Sequence, residues 1–256
     1  TTYTITLYEG GTQEILNACI KKCSEYELIF SRTNKKSELY QVNEIEKLYQ
    51  EAIQKKQDAM DYIAIKRSED NHLIYSIDEE GKMRIAISEQ LRSILKTGLE
   101  YSGQSKGSFD ITIEPLSSQW EFSKESPSVP DADKIQEALP YVDYRKVSLE
   151  DAGVVFDKPG MGIDLGGIAK GYIADALKDF LKKQHVKSAL INLGGNILCL
   201  GKKDRKNNFA IGVQQPFADR NETVCAVSVA DMSVVSSGIY ERFFEEDGKL
   251  YHHILN

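Results

Sequence analysis

The densest group of residues suited to ligand chemistry lies at residues 162–171, Gly-Ile-Asp-Leu-Gly-Gly-Ile-Ala-Lys-Gly. Glycines ahead of a helix let backbone N–H groups and the helix dipole face an anion, and Lys170 adds a positive charge. The spacing fits neither a P-loop nor the G-x-G-x-x-G dinucleotide fingerprint. A phosphate-binding loop and a tight structural turn therefore both stay open. Asp164, an acid among the glycines, suits a hydrogen bond to a ribose or ring, or a metal.

A second candidate is the pair of adjacent histidines near the end of the chain, His252 and His253. Neighbours in a strand point to opposite faces, so at most one of them faces a given site. Such a histidine is suited to act as a general base or as a metal ligand. A half-buried surface histidine is the alternative that the sequence leaves open.

Two shorter segments carry weaker signals. Residues 107–110 place an aromatic ring beside a carboxylate, although a glycine turn leading to a core phenylalanine is the commoner arrangement. Residues 236–242 set hydroxyls and a glycine before a tyrosine and an arginine, and a β-turn with a solvated ion pair is the simpler interpretation. Alone, neither segment predicts a function.

Hydrophobic periodicity predicts the elements that must position these residues. The Gly-rich segment leads into a helix over 172–181, and residues 106–116 predict a turn into an extended segment ended by Pro115. Other helices are predicted at 13–29 (with Thr12 as N-cap), 89–102 and 133–139, while residues 40–66 are ambiguous, with helical content around 44–56. Strands are predicted at 2–8, 74–77, 83–87, 147–156 (a hairpin), 188–193, 197–200, 209–213, 224–229, 233–236, 239–245 and 250–255.

This order of elements predicts an α+β fold built on antiparallel sheets with packed helices. The chain of 256 residues is 41% hydrophobic and 28% charged, which is typical of a globular protein. No internal repeat occurs, and no segment has the composition of a linker that would set a domain boundary.

Charge and apolar runs exclude several functional classes. Lys and Arg number 32 against 39 Asp and Glu, a net charge of −7, so we expect no binding to nucleic acid. No apolar stretch approaches the roughly 18–20 residues that a membrane helix needs. The four cysteines do not have zinc-site spacing, and we predict that they are buried free thiols.

Taken in order, several segments resemble the ApbE family, the FAD:protein FMN transferases, over nearly the whole chain. The matching segments are Phe30-Ser31 through Ser37-Glu38 with Asn43, Gly107-Ser108-Phe109-Asp110-Ile111-Thr112 with Pro115-Leu116, Ile163 through Tyr172, Asn192-Leu193-Gly194-Gly195-Asn196, Ser237 through Arg242, and Gly248 through Ile254.

The resemblance implies an ApbE-like fold, related to the T-fold, and a transferase that works on flavins. Such an enzyme binds FAD, uses Mg²⁺ and transfers FMN to a Ser or Thr hydroxyl of an acceptor redox protein, releasing AMP. This flavinylation is a post-translational modification. The resemblance also implies an extracytoplasmic, membrane-anchored bacterial lipoprotein, with the lipid anchor outside this chain.

The resemblance further assigns roles to individual residues. His253 would lie near the pyrophosphate as a base or charge stabiliser, although the choice between it and His252 stays open. The backbone carbonyl of Gly167 would be a metal ligand. The residues that would contact FAD are Thr33, Ser108, Phe109, Asp110, Asp164, Lys170 and Ile254.

One departure concerns the metal site. Family members continue after the His-His-Ile segment with an Asp-Pro-x-Thr-Gly-like stretch and later supply an Asp and a Ser/Thr to the metal. We therefore expect residues 1–256 to be a single catalytic unit that lacks its C-terminal segment.

Three alternatives to the transferase stay open. An Mg²⁺-dependent FAD pyrophosphatase would let water replace the acceptor hydroxyl and give FMN and AMP. A non-catalytic FAD-binding protein would return FAD unchanged. A generic α+β domain would use its Gly-rich turn for structure alone.

Overall fold

The computed structural model describes residues 3–120, 122, 126–150, 153–219 and 222–255. The helices are α1 (Gln13–Phe30), α2 (Glu38–Gln54), α3 (Ala59–Lys66), α4 (Glu89–Gln104), α5 (Glu114–Ser117), α6 (Ala132–Ala138) and α7 (Ala169–Lys183), with 3-10 turns at Leu139–Tyr141 and Tyr144–Lys146. The strands are β1 (Thr4–Glu9), β2 (Tyr75–Ile77), β3 (Met83–Ala86), β4 (Val147–Glu150), β5 (Gly153–Phe156), β6 (Ser188–Asn192), β7 (Asn196–Leu200), β8 (Phe209–Gln214), β9 (Thr223–Val229), β10 (Ser233–Val235), β11 (Phe243–Glu246) and β12 (Lys249–His252).

The chain divides into two compact units. The first comprises Thr1–Glu25 and Ile168–Ile254, and the second comprises Tyr26–Gly167 and Leu255–Asn256. The divisions fall inside α1 and at the end of the Gly-rich segment, where the composition shows no linker. That the chain is a single catalytic unit lacking its C-terminal segment stays a prediction.

The first unit is built around an antiparallel sheet in the order β1-β6-β7-β10. Helix α7 covers it with Ala174, Leu177 and Leu181, whose spacing of three and four residues places them on one helix face. These side chains pack in a core with Ile191 of β6 and Cys19 of α1. The strand pairs β8–β9 and β11–β12 are two further antiparallel ribbons of this unit.

The second unit contains the antiparallel sheet β2-β3-β5-β4. Helices α2 and α4 begin at serine N-caps: the Ser37 hydroxyl accepts from the N–H of Tyr40 at 3.3 Å and the Ser88 hydroxyl from that of Leu91 at 3.2 Å. Both helices bury one apolar face. The buried apolar residues are Leu39, Val42 and Ile45 of α2 and Leu91, Ile94 and Leu95 of α4.

These elements confirm the predicted α+β fold with antiparallel sheets and packed helices. The clearest error lies at residues 106–116. The predicted extended segment is a series of turns followed by α5, because the Asp110 carboxylate bonds the backbone of Thr112 and bends the chain, and Pro115 is tolerated in the first turn of a helix.

Several boundaries also differ from the prediction. Helix α2 begins at Glu38 rather than residue 44, and α7 begins at Ala169 rather than residue 172, which places Lys170 in a helical turn. The hairpin at 147–156 is confirmed in its strands, whereas its turn residues 151–152 lie outside the described residues. Cys19 and Cys199 are buried as predicted, but Cys23 is half-buried and Cys225 is exposed. Among the described residues, no helix is both long and apolar enough to cross a membrane.

Candidate functional site

Backbone hydrogen bonds around Asp164 anchor the Gly-rich segment within the second unit. The Asn43 side chain binds the backbone of Ile163 twice, accepting from its N–H at 2.8 Å and donating to its carbonyl at 2.9 Å. The N–H of Asp164 donates to the Ile111 carbonyl at 2.8 Å. Because Ile163 and Leu165 are buried, Asp164 is the polar side chain that this stretch presents.

The Asp164 carboxylate accepts two hydrogen bonds and forms one ion pair with described residues. Its Oδ1 accepts from the N–H of Gly166 at 2.8 Å. Its Oδ2 accepts from the Ser117 hydroxyl at 3.0 Å and forms an ion pair with Arg32 Nε at 3.1 Å. The side chains of Arg32 and Asp164 are only 31% and 16% exposed, so solvent screens this charge-assisted contact less than it would a surface ion pair.

The loop that carries Arg32 is folded by its own serines. The Ser31 hydroxyl accepts from the N–H of Asn34 at 3.1 Å, and the Ser37 hydroxyl donates to the carbonyl of Asn34 at 2.8 Å and to that of Ser31. Such local bonds give the backbone an alternative to helix or sheet. Thr33, a predicted FAD contact, lies exposed on this loop directly after Arg32.

Close packing leaves little room for a side chain at Gly166 or Gly167. A Cβ added to Gly167 would lie 2.9 Å from Cε2 of Phe109, and one added to Gly166 would lie 3.0 Å from Oδ1 of Asp164. The N–H of Gly166 is already bonded to Asp164. For this donor, the geometry favours the structural-turn alternative over a phosphate-binding loop.

The segment at 107–112 meets the Gly-rich segment at Phe109 and through the Ile111 carbonyl. Oδ1 of Asp110 accepts from the N–H and hydroxyl of Thr112 at 2.8 and 2.7 Å, and its Oδ2 accepts from the N–H of Tyr144 at 3.0 Å. Asp110 therefore has a structural role in this turn, and its predicted contact with FAD stays a prediction. Ser108 is exposed and Phe109 is half-buried.

A further carboxyl, that of Glu114 in α5, lies beside the same segment. A Cβ added to Gly162 would lie 2.5 Å from Oε2 of Glu114. Burial raises the pKa of Glu114, and the charge of Asp164 raises it as well, whereas Arg32 and Lys47 lower it. Arg32 thus stabilises the ionised form of Glu114 in addition to forming an ion pair with Asp164.

Lys170 belongs to the first unit, where it joins two of the sequence motifs. Its Nζ donates to the Gly194 carbonyl at 2.9 Å. Gly194 and Gly195 have φ values of +63° and +86°, in the left-handed region that favours glycine. A cation in the first turn of a helix opposes the helix dipole, so the Gly194 carbonyl contributes to holding Lys170 there.

The two histidines follow the β11–β12 ribbon of the first unit. The N–H of His253 donates to the Arg242 carbonyl at 3.1 Å, and its Nδ1 lies 3.4 Å from the same oxygen. Burial, the largest cause, lowers the pKa of His253, and the nearby charge of Arg242 lowers it too. His253 is therefore suited to accept a proton at neutral pH. Among the described residues, Nδ1 of His252 is buried without a hydrogen-bond partner, and Ile254 is exposed.

The described residues do not form a metal site by themselves. Within them, no group of three or more His, Cys, Asp or Glu side chains could hold a metal ion. The carbonyl of Gly167 is a single neutral oxygen, whereas Mg²⁺ sites normally include one or two carboxylates.

The structure thus brings Phe109, Asp110, Asp164 and Gly167 together in the second unit. Sequence analysis missed Arg32 and Ser117 as partners of Asp164, and it identified Asn43 only as part of a motif. Periodicity carries no signal for such contacts, since Asn43 and Ile163 are 120 positions apart. The one usable hint was the position of Arg32 within a matching segment.

Comparison with known proteins identifies relatives along the whole chain. The ApbE family model matches residues 1–256. An FAD:protein FMN transferase of Klebsiella pneumoniae (strain 342) is 39% identical over 178 residues, covering 69% of this chain and 54% of the relative. One of Treponema pallidum (strain Nichols) is 36% identical over 194 residues, covering 70% and 53%. The chain thus spans about half the length of the curated relatives it matches.

Solved structures share the fold. An ApbE protein of Thermotoga maritima superimposes with a TM-score of 0.75 at 26% identity, covering 98% of this chain and 71% of its own. The apo flavinyl transferase ApbE of Pseudomonas stutzeri gives a TM-score of 0.72 at 22% identity, covering 99% and 70%. These similarities confirm the predicted ApbE-like fold.

Proposed function

The chain belongs to the ApbE family, and on that premise we propose that it is the catalytic part of an FAD:protein FMN transferase. The observation that carries the proposal is the fixed carboxylate of Asp164, which two hydrogen bonds and an ion pair hold in place beside the exposed backbone of Gly166 and Gly167. A carboxylate that is fixed in this way is suited to accept a hydrogen bond from a ligand. A turn that served structure alone would not need it. FAD is the substrate, and a protein is the acceptor.

The proposed reaction moves FMN to a Ser or Thr hydroxyl of the acceptor. The hydroxyl oxygen forms a bond to the FMN-side phosphorus, the bond from that phosphorus to the bridging oxygen breaks, and AMP leaves. Phosphoryl transfer depends mainly on positioning and charge stabilisation. We assign His253 to accept the hydroxyl proton, because its lowered pKa keeps the ring neutral at neutral pH.

We also propose that the reaction requires Mg²⁺, with the Gly167 carbonyl as one ligand. Within the described residues, no group of three or more His, Cys, Asp or Glu side chains could complete such a site. The family resemblance supports the proposal, and a chelator tests it directly. Loss of activity in EDTA that excess Mg²⁺ restores would support the requirement, and full activity in EDTA would contradict it.

The acceptor that we propose is a redox protein with a short Ser/Thr-containing flavinylation motif. We further propose that the enzyme works outside the cytoplasm, attached to a bacterial membrane by a lipid anchor. Labelling the natural gene product with radioactive palmitate in cells would test the anchor. Accessibility to protease in intact spheroplasts would test the location.

The activity itself is testable with the natural gene product that contains residues 1–256. It would be incubated with FAD, Mg²⁺ and a candidate acceptor, and the products followed by mass spectrometry. We expect the acceptor to gain the mass of FMN with an equal amount of AMP released. An acceptor whose motif Ser/Thr is replaced by Ala is the control and should stay unmodified.

Other products would identify one of the alternatives. Free FMN with AMP, and no modified acceptor, would favour the FAD pyrophosphatase. Intact FAD that stays bound would favour the non-catalytic binder. Absence of FAD binding would contradict the proposed function altogether.

Lys170 offers a separate test of FAD binding. If its ammonium group meets a phosphate of FAD, Lys170→Ala should weaken FAD affinity about tenfold at low salt and less at high salt, because ions screen the lost attraction. Isothermal titration at two salt concentrations would measure the difference. An equal loss at both would indicate that Lys170 acts through its bond to the Gly194 carbonyl instead.

A further inference from the structure

We infer that Arg32 and Ser117 are positioning residues, which hold Oδ2 of the Asp164 carboxylate so that Oδ1 faces an N–H or O–H donor of the flavin nucleotide. The inference rests on the proposed function, since it names the part of FAD that this site recognises. It concerns side chains of the second unit only.

Counting acceptor positions identifies Oδ1 as the oxygen that is open to a ligand. An ionised carboxylate has two oxygens with about four lone-pair positions in total. The Ser117 hydroxyl occupies one position of Oδ2, and Arg32 Nε lies 3.1 Å from the same oxygen as its ion-pair partner. The N–H of Gly166 occupies one position of Oδ1, and no other hydrogen bond from the described residues reaches that oxygen.

The scaffold around the carboxylate restricts its movement. Asn43 holds the backbone of Ile163 through two bonds of 2.8 and 2.9 Å, and the N–H of Asp164 is bonded to Ile111. The planar guanidinium of Arg32 adds an ion pair with Oδ2. With the backbone and one oxygen fixed, the second oxygen cannot rotate toward a differently placed donor without breaking these bonds.

The charge of Asp164 selects the kind of group that it meets. A carboxylate repels the pyrophosphate of FAD and attracts hydrogen-bond donors. The donors of FAD are the ring imide N–H on its flavin half, the adenine amine on its adenosine half, and hydroxyls on both halves. Asp164 therefore recognises a donor of one of these two halves rather than the phosphates.

Arg32 does not need to touch FAD in this arrangement. Its Nε forms an ion pair with Asp164, and its positive charge also acts on Glu114. Its influence on FAD should pass through Asp164. This distinguishes it from a phosphate-binding arginine, which would contribute to affinity whatever residue stood at position 164.

A double-mutant cycle tests this role. The FAD dissociation constant would be measured for the natural protein, Arg32→Gln, Ser117→Ala, Asp164→Ala and the Arg32→Gln/Asp164→Ala double variant. We expect Arg32→Gln to weaken FAD binding by about tenfold, and Ser117→Ala by a few-fold, in the natural background. In the Asp164→Ala background, Arg32→Gln should have no further effect. Arg32→Lys, which keeps the charge, should recover part of the affinity.

Two results would overturn the inference. An unchanged FAD affinity in Arg32→Gln would show that Asp164 needs no such support. A tenfold loss that persists in the Asp164→Ala background would show that Arg32 acts on FAD directly or on the fold as a whole. Thermal unfolding of each variant without FAD separates the last two, since a general effect on the fold would lower the melting temperature.

A measurement without FAD keeps the inference separate from the proposed function. In the ¹⁵N-labelled protein, the Arg32 Nε–H resonance should move when Asp164 is replaced by Ala, because the carboxylate 3.1 Å from Nε is removed. An unmoved resonance would overturn the inference even if FAD binds. If the natural protein does not bind FAD, the proposed function fails while this resonance still decides whether Arg32 holds Asp164.

Competition experiments then identify the donor. FMN and ADP each carry one half of FAD, and their affinities would be compared in the natural protein and Asp164→Ala. A loss confined to FMN would assign the donor to the flavin half, and a loss confined to ADP would assign it to the adenosine half. Equal affinities for both probes in the two proteins would contradict a donor contact at Asp164.

Discussion

Replacing Asp164 with alanine is expected to weaken FAD binding about a hundredfold, a larger loss than at any other residue predicted to contact FAD. Two effects add in this variant. The ligand loses a charged acceptor, and the donors of Arg32, Ser117 and Gly166 lose the group that organises them. Fluorescence titration of the flavin with purified protein would measure the dissociation constant.

Two further variants control this result. Asp164→Asn keeps the shape and one carbonyl acceptor but removes the charge, so we expect an intermediate loss of affinity. Asp175→Ala removes an exposed carboxylate from α7 and should leave FAD affinity unchanged. If Asp164→Ala binds FAD as tightly as the natural protein does, the assignment of Asp164 to the flavin site is wrong.

Local patterns predicted the elements of the fold because those elements are stabilised locally. Helix α7 repeats buried residues every three or four positions, and β6 and β7 lie on either side of a Gly-Gly turn whose φ values require glycine. Each signal lies within about 15 residues of sequence. The family resemblance then supplied the arrangement of these elements, which periodicity alone does not determine.

The errors occurred where side-chain hydrogen bonds, which periodicity does not encode, determine the path of the chain. Asp110 bends residues 106–116 through bonds to Thr112 and Tyr144, so an apparently extended segment forms turns and a short helix. The partners of Asp164 come from three separate stretches of the chain. Arg32 and Ser117 have no unusual spacing, and only the folded chain shows that they converge on one carboxylate.

The first matching segment gains a physical role from this convergence. Ser31 and Ser37 fold the loop, Arg32 reaches the Asp164 carboxylate, and Asn43 holds the backbone of Ile163. A segment that sequence analysis connected to FAD only through Thr33 thus also supports the Gly-rich segment. Conserving such a motif would preserve the shape of the site as well as a ligand contact.

The second large effect that we expect concerns the buried side chain of Glu46, which should make the stability of the protein depend on pH. The Glu46 side chain in α2 is fully buried, Oε2 accepts from the N–H of Gly160 at 3.2 Å, and Oε1 has no hydrogen-bond partner among the described residues. Burial raises the pKa of Glu46 well above the ordinary value of 4.5, and the bond from Gly160 only partly opposes this. The folded state therefore favours the protonated acid.

The sign of the effect follows from this raised pKa. Below pH 4.5 the acid is protonated in both states, and its full contribution to stability is present. As the pH rises from there toward the folded-state pKa, the unfolded state loses the proton first and is stabilised. The free energy of unfolding should then fall by about 1.4 kcal/mol per pH unit on account of Glu46.

Glu46→Gln removes this titration, and its expected result is a change of slope. Glutamine keeps a carbonyl acceptor for the N–H of Gly160 but buries an amide without a partner, which costs about 1–3 kcal/mol at every pH. The variant should therefore be less stable than the natural protein near pH 4.5. This difference in the free energy of unfolding should become smaller as the pH rises. Urea unfolding at several pH values would measure this, followed through the single Trp120, which lies in the same unit as Glu46.

The slope of the unfolding free energy against pH is the quantity to compare. The cost of the buried amide is the same at every pH and therefore does not affect this slope. For Glu100→Gln, at an exposed position of α4, the plot of the free energy of unfolding against pH should be parallel to that of the natural protein over the whole pH range. If the Glu46→Gln curve is parallel too, then Glu46 has the same proton affinity in the folded and unfolded states. Water or a rearranged partner would then satisfy Oε1, and the buried acid would not be a source of pH-dependent stability.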